Sequence, residues 1–71
     1  MPLAFVKTGQ KVVLSSIQAG WELKARMNSL GLIPGIEIEV IQNNNSGPFM
    51  IKIKDNKIAL GRGIALKLFV Q

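Results

Sequence analysis

Apolar and polar positions change period along the chain, and each change marks an element. Lys11-Val12-Val13-Leu14-Ser15-Ser16-Ile17 is rich in β-branched residues and has the length of a strand. Leu23, Met27 and Leu30 then fall at i, i+4 and i+7, one stripe along a helix. The helix is expected to start near Gly20, with Glu22 in its first turn where the macrodipole favours an acid. It should end at Leu30, because Gly31 suits the left-handed position past a helix and Pro34 cannot continue one. After the Pro34-Gly35 turn the period drops to two: Ile36, Ile38 and Val40 face one way, Glu37 and Glu39 the other. The polar stretch Asn43-Asn44-Asn45-Ser46-Gly47-Pro48 reads as a loop, followed by Ile51 and Ile53 alternating with Lys52 and Lys54. Asp55-Asn56 is expected to close a hairpin into Lys57-Ile58-Ala59-Leu60. Gly61-Arg62-Gly63 reads as a turn between strands, and Leu66, Leu68 and Val70 as a last inward face.

Five short strands and one short α-helix near residues 20–30, with a meander from Ile36 to Leu60, predict a mainly β fold. A flat sheet of this size would leave its apolar face in water; curling it buries that face. The expected architecture is a small, SH3-like, partly closed β-barrel forming a single domain over residues 1–71. A five-stranded oligonucleotide-binding barrel is the main competitor, and its strands usually need a longer chain.

Composition narrows the chemistry. The chain is 48% hydrophobic and contains neither cysteine nor histidine. Disulfides, thiolate metal sites, the commonest general base and the usual nucleophile triads are therefore excluded. No apolar run exceeds the four residues Leu3 to Val6, so nothing spans a bilayer, and the N-terminal residues lack the pattern of a secretory signal. A cytoplasmic, non-catalytic protein follows, with no catalytic or cofactor-binding residue to assign.

Nine basic against four acidic residues give a net charge of +5, which can signal nucleic acid, an anionic membrane surface or solubility alone. Three of the acids find local partners. If Ile38 faces Ile53 and Val40 faces Ile51, the same register sets Glu39 opposite Lys52 and Glu37 opposite Lys54. Glu22 lies four residues before Arg26 on the helix. The alternative, an oxygen-ligated cation held among Glu22, Glu37, Glu39 and Asp55, gathers fewer ligands than hard cations usually take. Packing suits Met27 and Met50 better than metal ligation does. The remaining bases, Lys7, Lys11, Lys24, Lys57, Arg62 and Lys67, are spread out, and the aromatic residues Phe5, Trp21, Phe49 and Phe69 do not interleave with them. The expectation is therefore against nucleic acid. With one Trp and no Tyr, the chain also lacks the lining of a polyproline groove.

Trp21 does not belong to the core stripe. At about 100° per residue it falls roughly 160–180° from Leu23 and Leu30 and about 120° from Met27, on the side of Lys24, Ala25 and Asn28. Two readings stay open: the ring bends back over the barrel edge, which the first-turn position favours, or it anchors another protein.

The ordered set Leu30-Gly31-Leu32-Ile33-Pro34-Gly35, then Ile36, Ile38 and Val40, resembles the FeoA family, a small component of bacterial ferrous iron transport. Lys24 and Arg26 match its basic helix; Gly47-Pro48, Ile51, Ile53, Ile58-Ala59-Leu60-Gly61-Arg62, Ala65, Leu68 and Val70 match its second half. Ala19-Gly20 stands where many relatives carry two glycines. The resemblance implies an SH3-like barrel, a monomer in isolation, that works with the membrane iron transporter FeoB and is recruited to the inner face of the membrane. Trp21, Lys24, Asn28 and Arg62 are the candidate contacts. It also implies kinship with the SH3-like domains of metal-dependent repressors and a family-level association with transition-metal ions, for which this sequence offers no convincing ligand set. A transition-metal-sensing module and a basic barrel binding RNA or DNA are the alternative functions.

Overall fold

The computed structural model describes residues 1–44 and 46–71. Five antiparallel strands, β1 (Lys11–Ile17), β2 (Glu37–Gln42), β3 (Phe49–Ile53), β4 (Asn56–Leu60) and β5 (Leu68–Val70), form one sheet in the order β4-β3-β2-β1-β5. Helix α1 (Trp21–Ser29) sits between β1 and β2, and the four-residue α2 (Arg62–Ala65) between β4 and β5. A 3-10 turn at Leu3–Phe5 precedes the sheet. The sheet bends where single residues are inserted: Ser15 between the Leu14–Val70 and Ser16–Phe69 pairs, and Ile41 between Val40–Ile51 and Gln42–Met50. Such bulges raise local twist and let a small sheet curl.

The expected register holds, with Val40 opposite Ile51 and Glu39 opposite Lys52. Ile38, Val40 and Ile51 are fully buried, so the period-two pattern does decide the inner face. Phe49, which the sequence reading left unassigned, is 1% exposed and is the largest fully buried side chain.

Helix α1 ends as expected, by a defined motif. The Gly31 amide donates to the Asn28 carbonyl at 3.0 Å and the Leu32 amide to the Met27 carbonyl at 2.9 Å, with Gly31 at φ +92°. This is a Schellman cap, whose usual apolar partners here are Met27 and Leu32, both buried.

Four local expectations need correction. Leu30, on the predicted stripe, is 46% exposed, and Leu32 is buried in its place because the cap turns the chain back beneath the helix. The β3–β4 turn is Lys54-Asp55 rather than Asp55-Asn56; Lys54 takes the positive φ, and Asn56 already pairs with Ile53. Gly61-Arg62-Gly63 opens α2 instead of forming a simple turn, with Gly61 as its N-cap. This rotates Leu66 outward and puts Ala65 in the core beside Leu68 and Val70. The polar loop after β2 includes Asn45, which lies outside the described residues.

Candidate functional site

Helix α1 presents two faces. Met27 is buried and Leu23 half-buried against the core. Trp21, Lys24 and Asn28, at i, i+3 and i+7, project from the other side within about 60° of one another. Trp21 is 81% exposed, so the ring does not fold back over the barrel edge. The reason is local: Trp21 is the first residue of the helix, following an extended Gly20 N-cap, and its neighbours on the inward side are already Leu23 and Met27. Glu22 lies about 100° away and shares neither stripe.

Lys24 and Asn28 line a cleft of about 430 Å³ together with Ser15 and Ser16 of β1, Gln18 and Pro34. Its polar groups are hydroxyls, amides and one ammonium, with no carboxylate. The Ser15 hydroxyl donates to the Phe69 carbonyl at 2.9 Å and the Gln18 amide to the Ser16 hydroxyl at 3.3 Å, which fixes the β1 wall. The bulge at Ser15 shapes that wall, and the local sequence pattern carries no sign of it. Beside the cleft stands an unpartnered indole. Together they can accept a partner surface that offers acceptors or acids next to an apolar hollow.

Arg62 is placed elsewhere in function. It starts α2, and its guanidinium donates to the Asn43 side-chain oxygen at 2.7 Å and to the Asn44 carbonyl while lying 5.8 Å from the centre of the Phe49 ring. Asn43 in turn donates to the Ala4 and Val6 carbonyls at 3.0 and 2.7 Å, and its own amide donates to the Thr8 hydroxyl at 3.0 Å. Arg62, exposed, thus ties α2 to Asn43 and Asn44, whereas Trp21, Lys24 and Asn28 share the outer side of α1. Asn43 was missed in the sequence, where it reads as one more polar loop residue; all its side-chain partners are remote in the chain.

Of the two acids on β2, Glu39 is set between bases and Glu37 is not. Glu39 faces Lys52 on one side and Lys11 on the other, so Lys11 is not one of the free bases, and Glu37 faces Val13. Glu37, Glu39, Lys11, Lys52 and Lys54 line a second cleft, of about 420 Å³, in which lysines outnumber carboxylates. No group of three acidic side chains gathers among the described residues. For nucleic acid the stacking surface is equally thin: Phe49 is buried and Phe69 half-buried, which leaves Phe5 and Trp21. No helix among the described residues is long and apolar enough to cross a membrane.

A model of the FeoA domain family matches residues 1–71. A protein of Methanocaldococcus jannaschii, named for Fe(2+) transport as protein A, is 43% identical over 70 residues, covering 99% of this chain and 84% of that protein. Among solved structures, a crystal structure of an iron uptake regulatory protein (FeoA) superposes with a TM-score of 0.92 at 30% identity, covering 100% of this chain and 95% of that one. A Stenotrophomonas maltophilia FeoA complexed with zinc, described as an SH3 domain protein, superposes with a TM-score of 0.86 at 22% identity, covering 100% and 89% of the two chains, and supports the fold.

Proposed function

The chain belongs to the FeoA domain family, and from that premise we propose that it is a non-catalytic accessory protein of ferrous iron uptake, docking on the cytoplasmic part of the membrane transporter FeoB. The ferrous ion is the transporter's cargo; this chain contributes contact. The observation that carries the reading is Trp21, 81% exposed beside an acid-free polar cleft walled by Lys24 and Asn28. A solvated indole on a rigid helix costs stability nothing to remove and has large area to give a partner, which is how interface anchors behave.

The partner surface is expected to offer a hollow for the indole with a carboxylate or carbonyl within reach of Lys24 and Asn28. Docking of this kind recruits the protein to the inner face of the membrane.

A pull-down on the immobilised cytoplasmic part of the transporter tests the reading. Wild-type protein should be retained, Trp21→Ala and Lys24→Glu should be lost, and Arg62→Ala should be retained in proportion to its folded fraction. Retention of both α1 variants at the wild-type level would remove this surface.

A further inference from the structure

The 3-10 turn Leu3–Phe5 packs against α2 and β5, so these elements build one face. Each of the first two turns one apolar residue inward and another outward: Leu3 and Ala65 are fully buried, whereas Phe5 is 63% exposed and Leu66, just past α2, is 47% exposed. The Asn43 amide donates to the carbonyls on both sides of Phe5, at Ala4 and Val6, and its oxygen accepts from Arg62 of α2. The outward placement of Phe5 is thus anchored on both sides. Lys7, two residues after Phe5, and Lys67, directly after Leu66, are both exposed. All four acids of the protein lie between Glu22 and Asp55, so the segments that build this face, before Glu22 and after Asp55, carry no acidic side chain.

Neither Phe5 nor Leu66 lines any of the three principal clefts; both stand on the surface beside lysines. An acidic peptide with no apolar groups of its own would satisfy the lysines and leave Phe5 and Leu66 in water. A bilayer interface satisfies both at once, since it yields to protruding apolar groups and presents phosphates around them.

We infer that this face rests on an anionic lipid surface, with Phe5 and Leu66 at the boundary of headgroups and acyl chains and Lys7 and Lys67 among the phosphates. The inference uses elements distinct from α1 and does not depend on the proposed transporter contact. Each lysine near an anionic leaflet raises partitioning about fivefold.

Flotation of the protein with vesicles of phosphatidylcholine alone, and of phosphatidylcholine mixed with phosphatidylglycerol, tests it without any transporter present. The expected result is partitioning about tenfold or more higher on the mixed vesicles, falling with salt. It should be lost in Lys7→Glu/Lys67→Glu and reduced in Phe5→Ser/Leu66→Ser. Equal partitioning on the two vesicle types would overturn the inference. So would wild-type behaviour of the folded lysine variant, or preferential capture by a soluble poly-glutamate peptide over the mixed vesicles. The lysine pair is exposed and keeps the test decisive even if the Phe5 variant folds poorly.

Discussion

The Arg62 guanidinium donates to the Asn43 side-chain oxygen at 2.7 Å, and through Asn43 it is linked to the Ala4 and Val6 carbonyls. One asparagine thereby joins the N-terminal turn, the loop after β2 and the start of α2, three segments that the sheet itself does not hold together.

Asn43→Ala is expected to cost about 1–3 kcal/mol, because it strands the two part-buried carbonyls of Ala4 and Val6. Urea denaturation measures this directly. In a double-mutant cycle with Arg62→Ala, the coupling should be at least about 0.5 kcal/mol; additive losses would show that the two residues act separately.

At Gly31 the backbone sits at φ +92°, and an added Cβ would lie 3.3 Å from the Ile53 Cδ1 atom. Gly31→Ala should therefore lose about 1–2 kcal/mol from the left-handed conformation alone. Gly31→Asn should lose less by the backbone criterion, as asparagine tolerates that region better. The comparison of the two midpoints separates backbone strain from the contact with Ile53.

Glu39 lies between Lys11 and Lys52 on neighbouring strands. Glu39→Lys replaces two favourable cross-strand pairings by two unfavourable ones and should destabilise by about 0.2–1 kcal/mol for each pairing. Added salt should narrow the difference from wild type, since these side chains are partly in water.

Much of the fold was legible because period and burial coincide. β1 was bounded correctly by its β-branched run, α1 by its caps, and the Glu39–Lys52 register by the requirement that Val40 and Ile51 share the inner face. What escaped depends on contacts remote in sequence. The strut from Arg62 through Asn43 and the bulge at Ser15 that shapes one wall of the α1 cleft have no signature in local spacing, whereas Phe49, two residues before Ile51, continues the inward face of β3. Leu30 and Leu66 were misplaced for a related reason. Each sits one step beyond a helix end, where the chain rotates and a period counted from its neighbours no longer tells which side faces the core. At the candidate site, the helical angle separated Trp21 from the core stripe correctly; whether the ring bends back is a question of available space, which the sequence does not encode.

Trp21→Ala should leave stability within about 0.5 kcal/mol of wild type, because the ring is largely solvated. Its fluorescence should already resemble that of a solvent-exposed indole in the native protein and change little on unfolding. On binding the transporter's cytoplasmic part it should shift to the blue as the ring leaves water.

A calorimetric titration of the purified protein against the cytoplasmic part of FeoB is the most direct test of the docking surface. Wild-type protein is predicted to bind with a defined stoichiometry, and the folded Trp21→Ala/Lys24→Glu variant at least about tenfold more weakly. Equal affinity of the two proteins, or no binding of the wild type, would contradict a docking role for α1.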